Sequence, residues 1–372
     1  MTGRLPYIQV SGTHHEAGRQ LGEEARGLIA RSLACYEEML PGCVGYGFAE
    51  SVERARAYLR PAQEHLPRCV EQIQGLSEGS GVPFEQLFAL SCSEQFTCLP
   101  DQPPAPGHEK SAGAGPAAAG SRIAAPEHCT SFAFVAGGRP VAGHNEDWYP
   151  GDIECLVIRD VTLAEGTRYL AVGSPAYLPI TALTSHGICN SADTLSSWDM
   201  RVGVLNNLVL TAINECRSID EARDLIEALP RARGSNHLFC DADGRICDIE
   251  TTATRFAWLD GGTCFAHTNH YVTPELASQD ATTSEGTHKR RARAEELLAA
   301  GIDAGGDPVT LAQSVLRDHA DAPLSICSHW DEDDPDPGQS VTTVSQVWEP
   351  ADGRLHVAVG PPCEHDYVTY SL

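Results

Sequence analysis

Basic side chains are scarce in this chain: 26 Lys+Arg stand against 51 Asp+Glu in 372 residues, a formal charge of −25 with histidines neutral. They are scattered except for one short cluster, Lys289, Arg290, Arg291 and Arg293, so nothing offers a phosphate backbone a basic stripe, and nucleic acid is excluded as a partner. No run of about 18 apolar residues exists to span a bilayer, and the opening MTGRLPYIQV lacks the apolar stretch of a signal peptide, so a cytosolic protein with no membrane partner is expected. No two of the 14 cysteines are spaced as CxxC; spread over so long a chain they read as buried small hydrophobes rather than a disulfide framework. There is no internal repeat, no GxGxxG after a strand and no P-loop, which removes dinucleotides and ATP. What is present is a hydrophobic fraction of 42%, enough for a sizeable core.

Along the chain, LPYIQV (5–10) reads as a strand and Ser11-Gly12-Thr13 as the entry to a helical stretch from about 15 to 39. Segments 51–60, 67–79 and 84–97 carry apolar residues at helical spacing, punctuated by Gly79, Gly81 and Pro83. The composition then changes: between Asp101 and Glu127, 8 Ala, 4 Gly and 5 Pro make up 17 of 27 residues, a linker with little to bury. Beyond it the pattern becomes one of strands at 131–136, 139–145, 155–161 and 168–173, the first two joined by a Gly137-Gly138 hairpin turn. Helices are expected at 203–216 and 219–229 (capped by Ser218), and strands at 237–241 and 246–250. Further helices fall at 287–300 and 307–318, an acidic loop at 331–338, and a final hairpin turns across Asp352-Gly353.

Cys129 stands where the linker ends and the strands begin. A chain cut before it would carry a cysteine as its first residue, with a nucleophilic thiol and an α-amine whose pKa of about 7.7–8.0 suits a general base near neutral pH. The segment CTSFAFVAGGRPVAGHNEDW (129–148) resembles the start of the mature subunit in the acyl-coenzyme A:6-aminopenicillanic acid acyltransferase family of self-cleaving N-terminal-nucleophile (Ntn) hydrolases. The likeness continues, in order, through VSGTHHEAGRQLGEEAR, IQGLSEGSGV, SHGICNSADT, SNHLFCDADGRICDIE, HTNHY and VAVGPPCEHDYVTY.

This resemblance implies an α+β fold, the four-layer αββα Ntn sandwich. One domain would span 1–372, made from a helical fragment 1–128 that ends in the linker 101–127 and a catalytic fragment 129–372. It implies that the His128–Cys129 bond is the autocleavage site, although the family's cut often follows glycine. Cys129 is then the nucleophile, Asp147 the carboxylate beside its α-amine, Asn236 the oxyanion donor and Arg290 the arginine near the nucleophile, with Arg291 and Arg293 as alternatives to Arg290. Asn190 and Asn269 are second candidates for the donor. Aromatic and polar residues of the neighbouring loops, Trp148, Tyr149, Tyr177, His270 and also Asn190 and Asn269, are candidate walls of the substrate pocket.

The expected activity is amide hydrolysis through an acyl-cysteine, with acyl transfer from a thioester, or an uncut Ntn-like binding protein, as alternatives. A papain-like triad of Cys129 with His267 or His270 is disfavoured, because such a nucleophile sits at a helix N-terminus. The histidines of HTNH, of 186–189 and of 327–329 lack paired metal spacing, so neither a metal nor another cofactor is expected. The expected partners are a small-molecule amide or acyl thioester and the chain's own two fragments, with a homodimer left open.

Overall fold

The structure, a computed structural model, describes residues 4–97, 129–282, 284–333 and 339–372. The expected linker 101–127, His128 and part of the acidic loop (334–338) lie outside the described residues. Strand β1 (Tyr7–Gly12) is followed by α1 (His14–Glu24), α2 (Arg26–Val44), α3 (Phe48–His65), α4 (Pro67–Ser80), α5 (Phe84–Ser91) and α6 (Ser93–Thr97). The strand-rich part begins with β2 (Thr130–Ala136), β3 (Arg139–Trp148), β4 (Val157–Leu163), β5 (Arg168–Gly173), β6 (Ala182–Thr184) and β7 (Ile188–Ser191). Helices α7 (Asn206–Ile213) and α8 (Ile219–Ala228) precede β8 (Ser235–Asp241), β9 (Ile246–Thr251), β10 (Phe256–Asp260) and β11 (Cys264–His267). Helices α9 (Glu285–Ala304) and α10 (Pro308–Leu316) then lead to β12 (Val341–Glu349), β13 (Arg354–Val359) and β14 (Val368–Ser371).

The strands form two sheets, one of eight in the order β1-β4-β5-β6-β7-β8-β9-β10 and one of six in the order β11-β2-β3-β12-β13-β14. They face each other across an apolar layer in which Ala133, Ala142, Val344 and Trp348 of the smaller sheet meet Ile158, Leu170, Leu183 and Leu238 of the larger. The other face of the larger sheet packs on α1–α5, α7 and α8, with Val157, Val161, Tyr169 and Ile249 buried against Leu21, Ile73, Leu87 and Leu208. The outer face of the smaller sheet carries Phe132, Phe134 and Val347 against Ala294 and Leu298 of α9 and Ala312 and Leu316 of α10. Helix, sheet, sheet and helix therefore stack as four layers, the αββα architecture expected.

Local chemistry explains the main boundaries. Thr13 caps α1 with a capping box: its hydroxyl accepts from the Glu16 N–H (3.3 Å), and the Glu16 carboxylate accepts from the Thr13 N–H (2.8 Å). Gly137 and Gly138 sit at φ 58° and 76°, the pair of positive angles that a two-residue turn between twisted strands needs. The helical stretch expected at 15–39 is broken at Ala25 into two helices. Strands β6, β7, β10, β11 and β14 had no counterpart in the sequence reading, being runs of three to five residues too short to show a period.

Helices α1 and α4 touch backbone to backbone. Glycines spaced by four on each helix, Gly18 and Gly22 against Gly75 and Gly79, create the contact: a Cβ at Gly75 would stand 2.0 Å from the His15 carbonyl oxygen, and one at Gly18 would stand 2.1 Å from that of Gln72. A side chain of any size must push the helices apart. Gly75→Ala is expected to destabilise the protein by about 2–3 kcal/mol, read as a lower urea midpoint at unchanged slope; an unchanged midpoint would show that the two helices have room to separate.

Candidate active site

The β2–β3 hairpin decides what surrounds Cys129. Its two-glycine turn sets a register in which Thr130 pairs with Asn145 and Ser131 with His144, so Cys129, one residue before β2, falls beside Glu146. The period of two then sorts the side chains. Ser131, His144 and Glu146 lie on the face toward the other sheet, with the Cys129 Sγ 3.8 Å from the Glu146 carboxylate. His144 Nδ1 is 2.9 Å from the Ser131 hydroxyl and its Nε2 is 3.1 Å from Glu146. Asn145 and Asp147 lie on the opposite face, where the Asn145 amide donates to the carbonyls of Leu316 and Ile326.

Arg290 approaches from α9 on that second face and is 1% exposed. Its Nη1 donates to the carbonyl of Cys129 and to the Thr130 hydroxyl (2.9 Å), and its Nη2 donates to Asn269 Oδ1 (2.9 Å). Of the three arginines left open by the sequence, this is the one that reaches Cys129. Arg291 donates to the Ala266 carbonyl and pairs with Glu295, while Arg293 pairs with Asp318 and Glu296.

The sequence places Asp147 at the end of a strand; the structure extends β3 to Trp148 and buries Asp147 completely, paired with Thr342 of β12, whose hydroxyl donates to it at 2.6 Å. Its second oxygen, Oδ2, has no hydrogen-bond partner among the described residues. Burial pushes this carboxyl up to about 7, against the pull of the Thr342 hydrogen bond and the Arg290 cation. Burial also raises the Cys129 thiol well above its ordinary value, reinforced by Glu146, Asp193 and Asp147, while the Asp147 backbone N–H pulls the other way. The thiol rests protonated. For His144 burial opposes the charge, but the hydrogen bond and charge of Glu146 win and raise it.

Cys129 opens onto a cavity of about 940 Å³, counting the solvent at its mouth. Tyr36, Ser93 and Glu94 from the N-terminal helices form one wall; Glu146, Trp148 and Tyr177 belong to the other. Glu94 seals the seam, accepting from the Thr194 hydroxyl (2.6 Å) and the Asn206 amide (3.0 Å). Trp148, Tyr177 and Asn269 of the expected wall residues do line the cavity.

The remaining expected residues lie elsewhere. Tyr149 is buried behind Trp148 with its hydroxyl 2.7 Å from Cys43 Sγ. Asn190 supports the wall from behind, donating to the Ile180 carbonyl (3.3 Å). His270 bonds Thr287 and lies against the His288 ring. Asn236 points between the sheets and gives its amide to Asp248, leaving its neighbour Ser235 on the cavity wall. Sequence reasoning missed His144, Glu94 and Asp152; His144 was within reach, because counting back from the two-glycine turn places it on the Cys129 face.

A facing pair of sheets between two helical layers, with a cysteine at the head of an inner strand, is the fold of the Ntn hydrolases. Residues 135–364 match the acyl-coenzyme A:6-aminopenicillanic acid acyl-transferase family, well over half of the chain, and the protein belongs to that family of Ntn-type acylases and acyltransferases. Cys129 precedes the matched segment by six residues. Among solved structures, a penicillin V acylase from Agrobacterium tumefaciens is similar at 15% identity and a TM-score of 0.43, over 62% of this chain and 83% of that one. A mutant conjugated bile acid hydrolase from Clostridium perfringens is similar at 11% identity and a TM-score of 0.42, over 66% of this chain and 97% of that one.

The electrostatics of the wall generate a test. Asp152 is buried at the cavity and raised to about 7, first by burial and then by Glu146, with Tyr177 opposing. A carboxyl whose folded pKa is raised favours the folded state below its unfolded pKa of about 3.9 and loses that contribution as pH rises through about 7. Asp152→Asn is therefore expected to match the parent near pH 4 and to exceed it by up to about 4 kcal/mol at pH 8. Urea midpoints at the two pH values check this, and an equal difference at both would contradict it.

Proposed function

We propose that the protein cuts its own His128–Cys129 bond and then works as an N-terminal-cysteine amidohydrolase, the single observation behind this being the position of Cys129: the first described residue after the linker, opening the inner strand, its thiol facing the cavity. In the uncut chain the Cys129 nitrogen is an amide and has no basic lone pair. Glu146, 3.8 Å from the thiol, is the group in reach of its proton. The sulfur then attacks the His128 carbonyl carbon, the peptide nitrogen takes the proton back from Glu146 and leaves as the new α-amine, and water hydrolyses the thioester so formed to free the His128 carboxyl and the Cys129 thiol.

After cleavage that α-amine replaces Glu146 as base. Its pKa near neutrality matches a thiol that burial keeps protonated, and Asp147 Oδ2, free of a partner among the described residues, accepts from the ammonium that results. The thiolate attacks a small amide or thioester, the leaving amine or thiol takes the proton, and water hydrolyses the acyl-cysteine. An amine in place of water makes the same site an acyltransferase. For the oxyanion we assign Asn269 ahead of Asn236. Asn269 lines the cavity with its oxygen fixed by Arg290 and one amide proton given to the Thr194 carbonyl (3.1 Å), so the second amide proton is available, whereas Asn236 does not line the cavity. The helical fragment 1–128 and the catalytic fragment 129–372 stay together as one domain, because the cavity wall and the core are shared.

Intact mass and denaturing gels test the reading. The parent should give two polypeptides with Cys129 as a new N-terminus, Cys129→Ala should stay whole, and Glu146→Gln should cleave about 10²-fold more slowly. A parent that remains a single chain after long incubation would overturn self-processing. In the processed enzyme Asn269→Ala is expected to lower kcat by about 10²–10³-fold, and a larger loss in Asn236→Ala than in Asn269→Ala would return the donor role to Asn236.

A further inference from the structure

Four side chains outside the cavity converge from two loops. His319, Cys327 and His329 lie between α10 and β12, and Cys363 lies in the turn after β13; one nitrogen or sulfur from each comes within 4.8 Å of all the others. His329 Nε2 is 2.9 Å from His319 Nε2, 3.3 Å from Cys363 Sγ and 3.7 Å from Cys327 Sγ, and the two sulfurs are 3.8 Å apart. A tetrahedral zinc ion with Zn–S of about 2.3 Å and Zn–N of about 2.0–2.1 Å separates two sulfurs by about 3.8 Å, sulfur from nitrogen by about 3.6 Å and two nitrogens by about 3.3 Å. The observed spacing follows that pattern, with the two histidines somewhat closer.

The surrounding contacts hold this arrangement in place. Glu364 stands 3.4 Å from His329 Nδ1, the ring nitrogen turned away from the cluster, which directs the lone pair of Nε2 inward, the usual support for a metal-bound histidine. Arg317 donates to the Pro362 carbonyl (2.7 Å) and so ties the two loops together beside Cys363. Asp318, next to His319, is gripped by Arg293 through two hydrogen bonds of 3.1 and 2.9 Å, and its carbonyl accepts from the Cys327 N–H (3.0 Å).

We propose that His319, Cys327, His329 and Cys363 form a structural zinc site that staples the loop between α10 and β12 to the turn after β13. Both thiols give their protons to solvent on loading and both imidazoles bind neutral, so Zn²⁺ leaves a site of no net charge. All four positions are filled by protein, which marks the site as structural rather than catalytic. Its effect reaches Asp147: Ser328, between two of the ligands, donates its N–H to the Thr342 hydroxyl (3.0 Å), and that hydroxyl donates to Asp147. The inference stands independently of self-processing.

The test uses the full chain purified without chelators, with zinc measured by mass spectrometry beside Cys363→Ser and His319→Ala, both at exposed positions. About one zinc per chain is expected in the parent and less than about 0.1 in either variant, with a Tm lower by roughly 5 °C. Loading the stripped parent with Co²⁺ should give the thiolate charge-transfer and intense d–d bands of a tetrahedral site, and Cys363→Ser should lack them. A parent without zinc that also gives no such bands, or zinc retained in both variants, would overturn the proposal. So would a metal-free parent about 2 Da light, the mark of a Cys327–Cys363 disulfide.

Discussion

The site depends on one buried cation. A guanidinium removed from water is tolerated only where hydrogen bonds and opposite charge replace its hydration, and Arg290 finds both: the Cys129 carbonyl, the Thr130 hydroxyl, the Asn269 side chain and the field of Asp147. These partners come from the head of β2, from the segment after β11 and from β3, while Arg290 itself belongs to α9. The outer helical layer is thus fastened to the inner hairpin at the residue on which the chemistry is proposed to turn. Lysine could not make this set of contacts, because it lacks the planar fork that serves several acceptors at once.

On the other face of the hairpin the balance of charge is reversed. Asp152 and Asp248 are each pushed up to about 7 by burial, and His267, between Glu250 at 2.9 Å and Asp193 at 3.7 Å, is raised to about 10 despite its own burial. Acids outnumber the bases here, and their field also keeps the Cys129 thiol protonated. A papain-like site, which relies on a resting thiolate beside an imidazolium, is out of keeping with such an environment. A base delivered by the nucleophile's own residue suits it better, since the α-amine needs no second side chain in a space already crowded with carboxylates.

Much of this was legible in the sequence. The two glycines of the hairpin, the Thr13 cap and the shift from helical to alternating pattern announce the layers, because each rests on local chemistry. Cys129 was conspicuous from its place after the linker, and Arg290 from a basic cluster in an acidic chain. Short inner strands such as β6 and β7 were not legible: buried on both faces and three or four residues long, they show no alternation. The direction of Asn236 was hidden too, because it depends on Asp248 across a strand pair. The proposed zinc ligands were set aside for a different reason: Cys327 and His329 were weighed as metal ligands, but no paired spacing supported them. His319, Cys327 and Cys363 are separated by 8 and 36 residues, and only the packing of two loops brings them to one point.

The central claim is that the sulfur of Cys129 carries the acyl group. The most direct measurement is to quench the processed enzyme in acid during turnover of an activated acyl thioester and to map the peptides by mass spectrometry. The account predicts the acyl mass on the peptide that begins at Cys129, with a free α-amine and no label on the other cysteines, and no adduct at all in Cys129→Ala. Label on a different cysteine, or steady turnover with Cys129 unmodified and replaceable by alanine, would contradict it.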